Sequence, residues 1–273
     1  MLRKYLAFLL VLALVLLAGC AAQNGVSGER VSSLDRIINK NELVLGTTGD
    51  MPPLNMTTRD GKVIGLDIDI ATYLATTMGV ELRIERMNFS ELLPALEAGK
   101  VDVVISGMTI TPERNRKAAF VGPYFVSGKA FLTKMETIAS ADEVTDINTP
   151  GISLVALKGS TSEYLVQEVL PRVSLVTVDD YETAVAKVLD DSVQAMVADY
   201  PVCLVSILRH PDTELLSLIT PLTYEPLGIA LPADDPHLIN LVENALSLLV
   251  DSGQLDRLTA RWFDNDAWLS KLP

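Results

Sequence analysis

The stretch Val101–Gly128, VDVVISGMTITPERNRKAAFVGPYFVSG, holds residues whose types and spacing suit the grasp of a small carboxylate. Ser106, Gly107, Thr109 and Thr111 follow an apolar run, Val101 to Ile105, that reads as a strand buried on both faces. Ligands of open α/β sheets bind at such carboxyl ends. Glu113 and Arg114 come just after Pro112, a residue tolerated at the first position of a helix. Arg114 therefore projects near a helix start with free N–H groups, where an anion is welcome.

The elements that must position these residues follow from pattern. Strands are expected at Leu43–Thr47 and Glu81–Met87, with helices at Asp67–Met78 and Glu91–Ala98, closed by Gly79 and Gly99. The β-α-β-α-β order argues for a parallel sheet with helices on its faces. The same pattern then repeats: strands at Ile152–Leu157, Leu175–Val178 and Ala195–Ala198 alternate with helices at Ser162–Leu170, Tyr181–Leu189 and Val202–Leu208. A late strand at Leu227–Leu231 and helices at Leu238–Val250 and Leu255–Phe263 complete the chain. Two α/β lobes of about 100 residues each are of normal domain size, and the cleft between domains is where ligands prefer to bind.

Arg3 and Lys4 precede the apolar run Leu6–Leu17, which has the layout of a secretory signal peptide over residues 1–19. Leu17-Ala18-Gly19-Cys20 closes it and resembles a lipobox, implying acylation of Cys20 and anchoring to a membrane. Residues 20–33 read as a flexible tether. Loss of Arg3 and Lys4 takes the 22 basic residues to 20 against 35 acidic ones, a net charge of −15. Such a balance argues against a nucleic-acid partner, whose affinity comes from Lys and Arg. With Cys20 acylated, Cys203 has no disulfide partner, and in its apolar run it reads as a buried structural thiol. Two histidines, each beside a proline, offer no basis for a metal site or a triad, and no cofactor is expected.

Gly65-Leu66-Asp67-Ile68-Asp69-Ile70-Ala71, Met87 to Leu96, Val101 to Gly128 and Met196-Val197-Ala198-Asp199 together resemble bacterial solute-binding protein family 3, the amino-acid receptors of ABC importers. The resemblance implies an α/β, two-lobe periplasmic-binding-protein (type II) fold, each lobe a mostly parallel sheet flanked by helices, joined by two crossover strands. It implies a discontinuous lobe 1 (34–127 and 225–273) and a lobe 2 (128–224), with crossovers near Phe125–Ala130 and Tyr224–Gly228. The implied function is extracytoplasmic capture, by a monomer, of a free polar amino acid for an ABC permease, with no catalysis. In this alignment Arg114 meets the ligand α-carboxylate, and Ser106, Gly107 and Thr109 line the carboxylate and ammonium positions. Gly159, Ser160 and Thr161 meet the carboxylate from the other lobe. Asp199 accepts the α-ammonium, although its place before Tyr200 and Pro201 also suits a helix N-cap. Phe89 packs on the ligand side chain, and Met51 and Leu54 stand where many members carry aromatics. Asp67 and Asp69 fall in a helical first turn and read as structural. The fold also hosts cyclohexadienyl dehydratases, for which Glu163 or Glu225 would be the acid, and ligand-sensing modules fused to kinases or peptidoglycan-cleaving domains; as a sensor this chain is expected to work through a separate partner.

Overall fold

The computed structural model describes residues 32–217 and 222–273; the expected signal peptide, Cys20 and residues 20–31 of the expected tether lie outside them. Ser33 opens the first helix, α1 (Ser33–Lys40). The chain then forms β1 (Glu42–Thr47), a small meander of β2 (Asp50–Met51), β3 (Asn55–Thr57) and β4 (Val63–Ile64), and α2 (Leu66–Met78). Next come β5 (Glu81–Arg86), α3 (Phe89–Glu97), β6 (Val103–Val104), the single turn α4 (Pro112–Asn115) and the long β7 (Ala119–Ser127).

The second sheet opens with β8 (Lys129–Thr133), followed by the single turn α5 (Glu136–Ala139), β9 (Ser153–Leu157) and α6 (Thr161–Val169). It continues with β10 (Ser174–Val178), α7 (Tyr181–Leu189), β11 (Ala195–Asp199), α8 (Tyr200–Arg209) and β12 (Leu216–Ser217). The chain returns to the first sheet as β13 (Glu225–Leu231) and ends in α9 (Pro236–Asp251) and α10 (Gln254–Phe263).

The sheets have the orders β5-β1-β6-β13-β7 and β10-β9-β11-β8-β12. In each, four strands run the same way and one, β13 in the first sheet and β8 in the second, lies antiparallel between the βα strands and the edge strand. These two are the strands by which the chain enters each sheet from the other, so the parallel expectation holds for the βα units and stops at the crossovers. The chain passes from β7 to β8 through Gly128 and returns into β13, which makes this a two-lobe fold. β11 is buried along its whole length and β1 nearly so, as strands covered on both faces must be.

The run Val101–Ile105 pairs only at Val103 and Val104. Asp102 explains the shortening. Its N–H donates to the Val44 carbonyl at 2.9 Å, while its carboxylate accepts the Val44 N–H and pairs with Arg36, so the side chain takes the place of a regular ladder bond and ties β1 to α1. The helix expected from Glu91 begins at Phe89, because Asn88 and Glu91 form a capping box.

Candidate functional site

β6 ends in the loop that carries the polar cluster, and buried bonds hold that loop in place. Ser106 is fully buried, its hydroxyl accepting the Thr48 N–H at 3.1 Å. Gly107 has φ +58, and a Cβ there would collide with the Met51 sulfur, so Met51 seals the loop from behind. The Gly107 N–H donates to Asp67 Oδ2 at 3.0 Å. Asp67 also accepts from Asn55 Nδ2 and from the Tyr124 hydroxyl, each at 2.7 Å. Asp67 is structural, as expected, but by anchoring this loop rather than by capping its helix. Asp69 accepts the Trp262 indole N–H at 2.7 Å.

Burial pushes the Asp67 carboxyl up to about 6, against the lowering effect of its three donors. The folded protein therefore keeps a proton that the unfolded chain releases near pH 3.8. The stabilisation from this group is complete below that pH and is lost as pH rises through about 6. Between pH 7 and pH 5 the native protein should gain about 1 kcal/mol relative to Asp67→Asn. Urea unfolding of both proteins at the two pH values measures this, and identical pH slopes would remove the assignment.

Arg114 follows Thr111, whose hydroxyl accepts the Arg114 N–H and caps α4. Its guanidinium reaches between the lobes. Nη1 donates to the Thr109 carbonyl at 2.8 Å on the first lobe, and Nη2 to the Gly159 carbonyl at 3.1 Å on the second. The Phe89 ring lies under it, 5.4 Å from Cζ, a cation–π distance. Burial lowers the Arg114 pKa to about 10, and the charges of Glu225 and Asp199 oppose that fall, so the group is cationic at neutral pH. Two of its five N–H groups are engaged, and three are left.

In the second lobe the Ser160 hydroxyl caps α6, accepting from the Glu163 N–H and donating to the Leu157 carbonyl. Thr161 instead faces the junction and donates to Glu225 Oε2 at 2.9 Å. Thr109 donates to the same oxygen at 2.7 Å, so one carboxylate oxygen joins loops of both lobes. Asp199 ends β11 at an N-cap position, but its side chain caps nothing. Lys129 lies opposite it in the antiparallel register, and Lys129 Nζ donates to Asp199 Oδ2 at 2.7 Å. The same ammonium is 3.8 Å from Glu225 Oε2. Asp199 Oδ1 is buried and has no hydrogen-bond partner.

Burial acts to raise the Glu225 pKa, but Lys129 and the hydroxyls of Thr109, Thr161 and Thr223 outweigh it and hold the group below the usual range. Asp50, at the start of β2, accepts the Tyr181 N–H at 3.1 Å across the cleft. Burial raises the Tyr181 phenol well above its ordinary value, and the charges of Asp199 and Asp50 add to the shift. These three groups thus share one corner of the cleft.

The fold gathers Arg114, Thr109, Phe89, Thr161 and Asp199 at the junction of the lobes. Ser106, Gly107 and Met51 lie behind them, and Ser160 serves a helix. Sequence reasoning misses Lys129, Asp50 and Tyr181 as members of the site. A lysine at the head of the apolar run Ala130–Leu132 is the available signal for the first. Cys203 is fully buried, with its thiol pushed up to about 12 by burial, in keeping with a structural role. An apolar cavity of about 780 Å³, lined by Phe125, Tyr224 and Phe263, contains none of these charged groups. Among the described residues no cluster could hold a metal ion, and no helix is long and apolar enough to cross a membrane.

Comparison with known proteins agrees with this geometry. The arginine-binding protein 1 of an Escherichia coli (strain K12) ABC transporter is 27% identical over 224 residues, covering 80% of this chain and 89% of its own. The cyclohexadienyl dehydratase of Pseudomonas aeruginosa is 27% identical over 255 residues, covering 93% and 94%. The crystal structure of a putative ABC transporter binding component from Wolinella succinogenes, complexed with lysine, superposes with a TM-score of 0.80 at 34% identity, covering 85% of this chain and all of that one. Residues 43–265 match the family profile itself, and the chain belongs to the bacterial extracellular solute-binding proteins, family 3.

Proposed function

We propose that this protein is the extracytoplasmic receptor of an ABC importer, binding a free polar amino acid between its two lobes as a monomer. Lipid on Cys20 would hold it at the membrane. The observation that carries the reading is the Arg114 guanidinium, bonded to Thr109 on one lobe and Gly159 on the other. A guanidinium fork matches a carboxylate in a plane. Opposite it, the free Oδ1 of Asp199 is an acceptor suited to an α-ammonium. A zwitterion can satisfy both groups only when the lobes are closed, and that differential affinity would drive closure. Relatives named for arginine, glutamine and cystine support an amino acid as the solute class.

The dehydratase relative supports a second reading, in which a cleft carboxyl protonates a leaving group. Of the two glutamates that could fill that role, Glu225 is held below the ordinary range by Lys129 and three threonines, so it has no proton to give at neutral pH. Glu163 accepts the Gly159 N–H at the start of its own helix. One experiment separates the readings. Ligand-stripped protein is screened by thermal shift against the twenty amino acids and, in parallel, incubated with prephenate under ultraviolet detection of phenylpyruvate. At least one amino acid should raise the midpoint, since a ligand that prefers the folded state stabilises it. A silent panel with phenylpyruvate formation would replace the receptor reading by the enzyme.

A further inference from the structure

The closed cleft is one positive charge short. Asp199 and Glu225 lie beside Lys129 and Arg114, Asp50 shares Tyr181 with Asp199 and Arg114, and the Thr, Tyr and Phe side chains around them add no charge. An α-amino-acid backbone does not correct this, because it brings one charge of each sign. With its carboxylate on Arg114 and its ammonium on Asp199 Oδ1, Asp50 is still unanswered. Asp50 Oδ2 takes the Tyr181 N–H, while Oδ1 is buried without a partner. Burial, reinforced by Asp180, pushes the Asp50 carboxyl upward, and the polar groups of Thr48 and Tyr181 only partly offset it. The space on the other side of Asp50, about 310 Å³, is lined by Asp179 and Asp180 against one cation, Arg86. A further space beside Asp50 is lined by Glu182 and Arg209, and these two pair with each other at 2.7 Å.

A buried carboxylate oxygen without a partner is costly, and a cation is the group that removes the cost most completely. We infer that the amino acid this protein takes has a cationic side chain, an ammonium or guanidinium, and that Asp50 is the residue that selects it. Tyr181 donates its N–H to Asp50 and its phenol feels the charges of both Asp50 and Asp199, so it lies close to both acids. A neutral amide side chain can donate a hydrogen bond to Oδ1 but leaves the charge uncompensated.

This inference rests on the amino-acid reading above, and the test keeps the two apart. Calorimetry on the ligand-stripped protein compares arginine with citrulline, which has the same shape without the charge, and lysine with glutamine. The cationic member of at least one pair should bind at least about 30-fold more tightly, as expected for a desolvated charge pair. Asp50→Asn should bring that ratio to within a few-fold by weakening the cationic ligand and sparing the neutral one. Neutral ligands binding as well as cationic ones to the native protein would overturn the inference while leaving the receptor reading intact. An Asp50→Asn protein that folds, by circular dichroism, and keeps the native preference would overturn it too. Binding of no amino acid at all would overturn both. The native selectivity needs no variant, so misfolding of Asp50→Asn cannot protect the idea.

Discussion

Arg114→Ala should weaken amino-acid binding by at least about 100-fold, because it removes the charged partner of a desolvated carboxylate, an interaction whose loss costs about 3–5 kcal/mol. Two losses combine in that number. The ligand loses its planar, charge-assisted partner, and the closed form loses the side chain that bonds the Thr109 and Gly159 carbonyls across the cleft. Arg114→Lys tests the difference between charge and shape, since an ammonium keeps the charge but cannot form the fork or lie flat on Phe89. It should recover only a small part of the affinity. Isothermal calorimetry on both variants, with the best ligand from the screen, gives the answer. Affinity within a few-fold of native in Arg114→Ala would end the assignment of that residue to the ligand carboxylate. Thermal stability of the ligand-free variant should change little, because the arginine side chain is part-exposed and packs on one ring.

Local signals make much of this site legible. Asp199 ends an apolar run at a strand end, and Arg114 lies in the helical turn after the polar loop that leaves another; strand ends are where α/β sheets present side chains to ligands. The βα units of both sheets are readable for the same reason, as apolar runs broken by glycines at helix ends. β7 and β8 are not readable by pattern. Pro123 and the glycines at 122 and 128 interrupt any periodicity, and burial along β7 follows the contacts of a strand that leaves one lobe for the other. Asp67 shows a different limit. Its place in the first turn of α2 is visible in the sequence, but only tertiary packing against Tyr124 and Gly107 turns its carboxylate inward. Lys129 and Asp199 are 70 residues apart, and no spacing rule connects them. Antiparallel register alone puts them face to face.

That register leads to the largest stability effect expected in the molecule. Lys129 is 2% exposed, and its ammonium is the cation beside two buried carboxylates, Asp199 on β11 and Glu225 at the start of β13. Lys129→Met keeps the length and apolar stem of the side chain but strands both acids, and breaking a buried pair from one side costs about 3–5 kcal/mol. Denaturant unfolding should show that loss as a lower midpoint with an unchanged slope. Removing the acid as well should return much of it, so Lys129→Met/Asp199→Asn should be more stable than Lys129→Met alone. Ligand affinity should not recover with stability in the double variant. Lys129 holds Asp199 by Oδ2 and so leaves Oδ1 without a partner, and the asparagine carries no charge to meet an α-ammonium. A double variant that regains both stability and affinity would show that Asp199 serves only the fold. A Lys129→Met protein as stable as the native one would show that the two carboxylates are compensated without the lysine, and the buried triad would lose its place as the link between β8, β11 and β13.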